Sequence, residues 1–326
     1  MWFGGNFKPE GKHALIVGAS QGVGAELGYN LFKRNCSVTL VARSQDKLKS
    51  HVEKIKGLKD SNSELTGEVE YRVCNASSYE SCAELWNNLL EDKKDPDFIF
   101  CCTGGSTPKL FADLTKEDLQ LGITTNYTVS LNVIHSGFKQ ILESNRGVPR
   151  AEFKKRHVIL FSSVVSFYPF IGYAQYAPLK SAVQSLSLIL RQELGPFNYR
   201  VSCVFPGSFQ SEGYDEEEKT KPKITKEIEG PSKPIPVEIC ADMVVSQLDK
   251  GYDTITTDFI GWLLGCSVLG TLPRSWGILQ VFVSLIFSII GPIANLVVYK
   301  SVLDFFKKRD AEEDDGNGRA TNKKSD

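Results

Sequence analysis

Short apolar runs alternate along most of the chain with longer segments in which apolar residues recur at helical spacing. The apolar runs predict strands near residues 13–17, 37–44, 69–73, 97–102, 157–163 and 200–205. The longer segments predict helices near residues 25–34, 44–56 and 79–92, a long helix up to residue 145, and one at residue 176. This alternation favours right-handed βαβ units. The predicted fold class is therefore α/β, a doubly wound parallel sheet of the Rossmann type.

The pattern changes towards the C-terminus. Residues 276–299 include no charged side chain, and at about 1.5 Å per residue a helix of that length crosses a hydrocarbon core. Trp276 and Tyr299 stand at its ends, as interfacial aromatic residues do. Gly291-Pro292 interrupts the run, so a kinked or re-entrant segment is possible. We expect a C-terminal membrane-associated helical segment here.

These patterns divide the chain into three parts. Residues 1–257 form the predicted catalytic domain, residues 258–300 the membrane-associated segment, and residues 301–326 a polar tail that we expect to be disordered. Within the first part, residues 208–236 are charged and contain prolines, which favours a mobile lid over a substrate cleft. Its acidic run, residues 215–218, is of a kind that most often serves only for solvation.

A glycine-rich turn, Gly18-Ala-Ser-Gln-Gly22-Val-Gly24, joins the first predicted strand to a helix. Glycines let the backbone approach a pyrophosphate, whose charge is received by amides at the helix N-terminus. The spacing differs from the G-x-G-x-x-G fingerprint and also matches a hydrolase nucleophile elbow. A hydrolase needs a histidine downstream, and none follows His157. The residues expected to bind a dinucleotide are Gly18, Ser20, Gln21, Gly22 and Gly24.

The end of the second predicted strand indicates which dinucleotide is bound. An acid there would hold the ribose 2′-hydroxyl of NAD, whereas an arginine suits the 2′-phosphate of NADP. The position holds Arg43, and Lys47 follows one helical turn later. Both cations complement a phosphate dianion. Asp46 is the one neighbouring feature that favours NAD, and the predicted cofactor is NADPH.

Tyr176 and Lys180 form a Y-x-x-x-K pair, and Ser163 ends a predicted strand thirteen residues before the tyrosine. Reduction of a ketone requires a proton for the oxygen as hydride reaches the carbon, but a free phenol has a pKa of about 10. Lys180 lies on the same helical face, so its charge is expected to lower the pKa of Tyr176. A lone Y-x-x-x-K is usually a surface pair. Together with Ser163, the glycine turn and Asn126, the Y-x-x-x-K pair becomes a specific indication of a catalytic site.

Composition excludes several classes of function. The formal net charge is −1 and no basic patch is interleaved with aromatic residues, which argues against a nucleic-acid partner. The eight cysteines show no metal-ligand spacing, so no metal site is expected, and buried thiols suit a reducing, cytosol-facing compartment. The first ten residues are too short and too polar for a signal peptide.

The chain resembles the short-chain dehydrogenase/reductases, whose catalytic tetrad matches Asn126, Ser163, Tyr176 and Lys180. Within them it is similar to the fungal 3-ketodihydrosphingosine reductases, membrane enzymes of sphingolipid synthesis, over roughly residues 12–300. The closer likeness lies in residues 104–111, 168–176, 190–194, 205–213, 221–225 and 228–231.

Two places depart from the wider superfamily. Cys101-Cys-Thr-Gly-Gly105 replaces the usual Asn-Asn-Ala-Gly after the fourth strand, which weakens any role for the side chains of residues 101–102 at the cofactor. Asn75 stands where an aspartate is expected near the adenine, and it can still hydrogen-bond that ring.

The resemblance implies NADPH-dependent reduction of 3-ketodihydrosphingosine to dihydrosphingosine. It also implies that Asn126 holds a water linking Lys180 to solvent. A weaker hypothesis is that Glu212 or Asp215 attracts the substrate amine. Two alternatives stay open: the same chemistry on another lipid ketone, such as a 3-ketoacyl thioester or a steroid, and a non-catalytic membrane scaffold that binds NADPH. A homo-oligomer is also possible.

Topology follows from charge and from this chemistry. Basic residues at positions 300 and 307–309 favour a cytosolic C-terminus, and Lys323-Lys324-Ser325-Asp326 resembles a dilysine signal of the endoplasmic reticulum, read in the cytosol. A single span would place the catalytic domain in the lumen. A hairpin that uses residues 259–273 as its first arm keeps both ends cytosolic, and we favour the hairpin. The glycosylation sequons at Asn75 and Asn126 are expected to be structural positions.

Overall fold

The computed structural model describes residues 7–61, 63–230, 233–268 and 276–322. Within them, seven strands form one sheet of order β3-β2-β1-β4-β5-β6-β7, and every neighbouring pair is parallel. The strands are β1 His13–Val17, β2 Ser37–Ala42, β3 Val69–Val73, β4 Phe98–Cys101, β5 Arg156–Phe161, β6 Tyr199–Phe205 and β7 Thr254–Thr256. The doubly wound parallel sheet is confirmed. We did not predict β7, because three residues show no periodicity and only pairing with β6 reveals the strand.

Helices cover both faces of the sheet. They are α1 Gly22–Phe32, α2 Gln45–Ser61, α3 Tyr79–Glu91, α4 Lys116–Ile123, α5 Val129–Ser144, α6 Ala177–Glu193, α7 Glu212–Thr220, α8 Lys223–Glu229, α9 Val237–Asp249, α10 Phe259–Gly265 and α11 Ile278–Asn322. One core packs α1, α2 and α9 against the sheet, and the other packs α3, α5 and α6. Within β1, Ile16 belongs to the first core while Leu15 and Val17 belong to the second. Burial on both faces explains why the strands are almost continuously apolar.

The order of the strands reverses between β1 and β4. In such sheets ligands bind in the crevice beyond the carboxyl ends of the strands at this reversal. The glycine-rich turn follows β1, and Ser163 follows β5. The fold therefore places both predicted features at the same edge of the sheet.

The predicted lid contains two short helices, α7 and α8. Ser211 begins α7 by accepting a hydrogen bond from the Tyr214 amide at 3.1 Å. A bridge between Phe209 and Ile235 closes the base of the segment, so the lid is a helical flap over the carboxyl edge of the sheet. Residues 231–232 lie outside the described residues.

The hairpin that we favoured lacks a first arm in the described residues. The apolar stretch that begins at Phe259 forms α10, seven residues and roughly 10 Å long, which is too short to cross a bilayer. A Cβ on Gly261 would lie 2.6 Å from Val164, and Leu264 packs against the core. This short helix packs on the catalytic domain. Residues 269–275 lie outside the described residues, as do residues 1–6 and the tail signal at 323–326.

Helix α11 is the one helix of the described chain that is long and apolar enough to cross a membrane. Its candidate span is Ile278–Arg309, with a mean hydropathy of 2.4, and only 6% of its most apolar window is buried. The helix continues through Pro292, with no re-entrant break, and reaches Asn322, whereas we expected a polar, disordered tail from residue 301.

Two parts of α11 contact segments that precede it in the chain. Near its start, Ser284 donates a hydrogen bond to the Cys266 carbonyl, and Gln280 lies 3.7 Å from the Cys266 sulfur. About two dozen residues later, side chains between Ser301 and Glu312 line a cavity together with Lys223 and Glu227 of α8. The helix therefore runs alongside the domain and passes the lid.

Candidate active site

A cleft of about 160 Å³ opens at the carboxyl ends of β4, β5 and β6, beneath the lid. Loop residues after these three strands form its floor, and α7 and α8 cover it. The polar or reactive side chains in its lining are Cys102, Ser106, Ser162, Ser163, Tyr173, Tyr176, Lys180, Ser208, Ser211, Tyr214, Glu217 and Glu229. Three of the four predicted catalytic residues thus lie in one cleft.

Tyr176 stands directly before α6, where Pro178 provides a rigid first turn. Burial raises the pKa of Tyr176 above its ordinary value, the charge of Glu217 raises it further, and a hydrogen bond with Ser163 lowers it. Our expectation that Lys180 shifts this pKa towards neutrality is not met. The physical reason is that desolvation of the phenol and the Glu217 charge both disfavour the phenolate, and together they outweigh the hydrogen bond with Ser163.

Lys180 lies one helical turn beyond Tyr176 on the inner face of α6. Its Nζ donates a hydrogen bond to the Phe161 carbonyl at 3.0 Å and lies 5.5 Å from the centre of the Tyr176 ring. Burial lowers the pKa of Lys180 to about 8. Lys180 is thus a buried cation below the tyrosine ring, still largely protonated at neutral pH.

Asn126 reaches the same region from the opposite wall. It sits in a π-helical turn, Thr124–Thr128, between α4 and α5, and such turns are frequent at functional sites. Its amide nitrogen donates to the Gly105 carbonyl at 2.8 Å, and its oxygen accepts from the Gly105 amide at 3.1 Å. A Cβ on Gly104 would lie 2.7 Å from Lys180 Nζ and 3.3 Å from Asn126 Oδ1. Asn126 and Lys180 therefore both lie close to Gly104, a loop position where the available space admits only glycine.

The glycine turn has the shape of a pyrophosphate cradle. Gly18 has a φ of +90°, and a Cβ there would lie 2.8 Å from the Thr103 amide. A Cβ on Gly24 would overlap the Gly18 carbonyl. Helix α1 begins at Gly22, with no side-chain cap from Gln21 and no acid in its first turn. Its N-terminal amides are thus available to an anion, so the turn fits a dinucleotide.

Two cations stand beside the turn. Arg43 follows β2, is exposed, and has no hydrogen bond or ion pair to any residue that the structure describes. Lys47 Nζ donates to Gln21 Oε1 at 3.0 Å and lies 2.5 Å from Glu212 Oε2. Arg43 and Lys47 fit the 2′-phosphate of an NADP-type cofactor.

Glu212 and Asp215 do not face the substrate cleft. Glu212 pairs with Lys47 at the cofactor end, Asp215 is exposed, and neither lines the cleft. The weaker hypothesis that one of them attracts a substrate amine is therefore wrong, because neither carboxylate lies at the cleft. The contact with Lys47 joins residues far apart in the chain, so no local pattern indicates it.

The two remaining predicted cofactor residues lie at the carboxyl edge of the sheet. The Ser20 carbonyl lies 3.2 Å from His51 Nε2. Asn75 follows β3, is exposed, and its side-chain oxygen accepts a hydrogen bond from Ser77 at 2.8 Å. The Asn126 sequon, in contrast, is buried.

Sequence reasoning missed the charged groups of the lid. Our interpretation of residues 215–218 as a solvated run is wrong for Glu217, which lines the cleft and accepts a hydrogen bond from Tyr173 at 2.7 Å. Lys221, only 1% exposed at its side chain, pairs with Glu217 at 3.2 Å. The i, i+4 spacing of this pair was visible in the sequence, whereas its burial was not.

A model of the short chain dehydrogenase family matches residues 12–222, which hold the glycine turn, Ser163, Tyr176 and Lys180. The chain belongs to the short chain dehydrogenase family. Solved structures of this fold include a short-chain dehydrogenase from Sphingobium yanoikuyae in complex with NADPH, at a TM-score of 0.62 and 21% identity. That match covers 76% of this chain and 88% of the other. A short-chain type dehydrogenase/reductase from Mycobacterium marinum matches at a TM-score of 0.65 and 18% identity, over 77% and 95%.

Among curated short chain dehydrogenases, the chain is 66% identical over 305 residues to 3-ketodihydrosphingosine reductase TSC10 of Debaryomyces hansenii. This match covers 93% of the chain and 92% of the relative. The chain is 36% identical over 330 residues to the protein of the same name from Saccharomyces cerevisiae, covering 95% and 98%. The likeness thus extends beyond the family domain to the C-terminal region.

Proposed function

We propose that this protein is an NADPH-dependent 3-ketodihydrosphingosine reductase that forms dihydrosphingosine in sphingolipid synthesis. The observation that carries the proposal is 66% identity to the Debaryomyces hansenii reductase along 93% of the chain. The cleft supports it, because a serine, a tyrosine and a lysine of suitable chemistry line one cavity beside the glycine turn.

NADPH, when bound, supplies the hydride. The turn from Gly18 to Gly24 would hold its pyrophosphate through backbone amides, with Ser20 and Gln21 as polar neighbours. Arg43 and Lys47 would hold the 2′-phosphate, and Asn75 would contact the adenine. These assignments rest on the tight glycine turn, on the uncapped start of α1 and on the two cations beside it.

Ser163 and Tyr176 act on the ketone oxygen. The Ser163 hydroxyl donates a hydrogen bond that polarises the carbonyl, and Tyr176 transfers its proton as negative charge develops on that oxygen. The raised pKa of Tyr176 keeps the phenol protonated at neutral pH. A protonated phenol is the form that the reductive direction requires.

Lys180 and Asn126 support proton transfer by Tyr176. The buried Lys180 ammonium, 5.5 Å from the ring, stabilises the phenolate that remains after proton transfer. Asn126 is held rigidly by both polar groups of Gly105 and would position a water next to Lys180 for reprotonation. Both are therefore proposed as members of the proton pathway.

The deciding experiment gives the purified full-length protein NADPH and 3-ketodihydrosphingosine in detergent. We expect loss of NADPH absorbance together with formation of dihydrosphingosine, identified by mass spectrometry. Turnover of a 3-ketoacyl thioester or a steroid, without turnover of the sphingoid ketone, would favour the same chemistry on another lipid. NADPH binding without oxidation by any of these ketones would favour a scaffold.

The proposed location is the membrane of the endoplasmic reticulum, with the catalytic domain in the cytosol. The exposed apolar side chains of α11 supply the membrane surface; they include Ile278, Phe282, Leu285, Ile289, Ile293 and Leu296. Because α11 contacts Cys266 near its start and α8 of the lid further along, we propose that the helix lies within the cytosolic leaflet beside the cleft. All eight cysteines are free thiols, which suits a reducing compartment.

A further inference from the structure

The underside of the lid carries a cluster of charged groups that the proton pathway does not use. Lys221 Nζ contacts three carboxylates, Glu217 at 3.2 Å, Glu229 at 2.8 Å, and Glu218. Lys226 contacts Glu218 at 2.9 Å. Three carboxylates thus share two ammonium groups, and the cluster has one negative charge in excess.

Two members of this cluster face the catalytic cleft. Glu217 and Glu229 line the same cavity as Ser163, Tyr176 and Lys180, whereas Glu218 does not. The closest contacts of Glu217, to Tyr173 and Lys221, are both made by Oε1. Its second oxygen is therefore left to accept a donor from a ligand.

Glu217 is also close to the reacting groups. Tyr173, its hydrogen-bond donor, has its ring centre 6.1 Å from that of Tyr176. The negative charge of Glu217 contributes to the raised pKa of Tyr176. Burial raises the pKa of Glu217 itself, while Tyr173 and Lys221 oppose that rise. A cation bound at Glu217 would lower both the pKa of Tyr176 and the pKa of Glu217.

The proposed substrate has a cation in the matching place. In 3-ketodihydrosphingosine the ammonium group is on the carbon next to the ketone. A ketone oxygen held by Ser163 and Tyr176 therefore brings the ammonium within a few ångströms of the tyrosine hydroxyl. A carboxylate on that side of the cleft can pair with it, and a charged hydrogen bond in a desolvated cleft is strong.

We propose that Glu217, supported by Glu229 and held in place by Tyr173 and Lys221, binds the ammonium group of an α-amino ketone and makes the cleft selective for that class. This inference rests on the proposed function. With a ketone that has no amino group, the excess negative charge of the cluster stays near Tyr176, and the Glu217 carboxylate opposes the developing phenolate. The lid thereby favours amino ketones in two ways. Glu217 binds the ammonium group, and when no ammonium is bound its charge opposes ionisation of Tyr176.

The test compares two ketones on the purified full-length protein: 3-ketodihydrosphingosine and the same long-chain hydroxyketone without its amino group. The wild type should prefer the amino ketone in kcat/KM. Glu217→Gln, which keeps the size of the side chain, should lower kcat/KM for the amino ketone by about 10- to 100-fold. The same variant should leave turnover of the desamino ketone unchanged or faster.

Glu218→Gln is the matched control, because Glu218 contacts the same lysine but does not line the cleft. It should leave the preference between the two ketones unchanged. An equal loss on both ketones in Glu217→Gln would show a structural role and overturn the inference, as would an unchanged preference. A wild type that reduces both ketones equally would overturn amine recognition while the reductase activity stands. A wild type that reduces neither would refute the proposed function itself.

Discussion

At Tyr176, burial and the Glu217 carboxylate raise the pKa of the phenol, while the hydrogen bond with Ser163 lowers it. The residue therefore holds its proton until negative charge forms on the substrate oxygen. Tyr176→Phe removes this proton and should lower kcat by about 10²- to 10⁴-fold. The Kd for NADPH, measured by fluorescence titration, should stay within about twofold because the ring is retained. Near-normal turnover in this variant would refute the role of the tyrosine.

Lys180 sets an upper pH limit for the reduction. Its pKa, lowered by burial to about 8, leaves the ammonium present below that pH and removes it as the pH rises through it. We expect kcat to be level below about pH 8 and to fall roughly tenfold per pH unit above it. The neighbouring Cys203 and Cys102 cannot cause this fall, because burial raises the pKa of Cys203 to about 12 and that of Cys102 well above its usual range. A pH profile that stays flat up to about 10 would contradict the assignment.

We expect Glu212 to compete with the cofactor for Lys47. Its carboxylate lies 2.5 Å from Lys47 Nζ, where a 2′-phosphate would also need that cation. Glu212→Gln should lower KM for NADPH by about two- to fivefold, the range of an exposed ion pair, and leave KM for NADH unchanged. Steady-state kinetics with both cofactors measure this. A rise in KM for NADPH would instead indicate that Glu212 helps to bind the cofactor.

Among the elements, the lid depends on a single buried cation. Lys221 joins the end of α7 to α8 through Glu217, Glu218 and Glu229. Lys221→Met leaves these carboxylates facing one another, so the lid should open. We expect faster proteolysis within α7 and α8 and a fall in kcat/KM of at least about tenfold.

Lys219→Met is the control for this variant, since Lys219 is exposed and, among the described residues, pairs only with Glu216 at the surface. It should digest like the wild type. The melting temperature of Lys221→Met should change little, because only two of the lid's described residues, Phe209 and Ile235, pack against a main core, and both pack against the first. A large drop in melting temperature would show that the lid belongs to the core.

At the scale of the whole molecule, the placement of α11 relative to the bilayer determines the membrane topology. If it lies in the cytosolic leaflet beside the domain, both of its ends stay in the cytosol. In microsomes a protease should then remove a C-terminal tag without detergent, and the exposed Asn75 sequon should stay unmodified. Protection of the tag together with a cytosolic catalytic domain would indicate a span. Glycosylation of Asn75 would place the domain in the lumen.

The features that the sequence determined by itself are local ones. Strand and helix periods, the tight turn from Gly18 to Gly24, and the one-turn spacing of Tyr176 and Lys180 each depend on a few neighbouring residues. They were sufficient to predict the doubly wound sheet and to place three of the predicted catalytic residues at one edge. The four-residue spacing says which side chains share a helical face, but not how much water they lose, so the pKa of Tyr176 was predicted with the wrong sign.

Only the tertiary structure determined the contacts between segments that lie far apart in the sequence. Glu212 lies at the cofactor end because the lid folds back on Lys47, and Glu217 is buried because α7 closes over Tyr173. Helix α10 packs on the catalytic domain, with Gly261 against Val164, an apolar contact that hydropathy cannot distinguish from contact with lipid. Burial and long-range pairing arise only when the chain is compact. They determine which acids meet the substrate and which apolar segments meet the membrane.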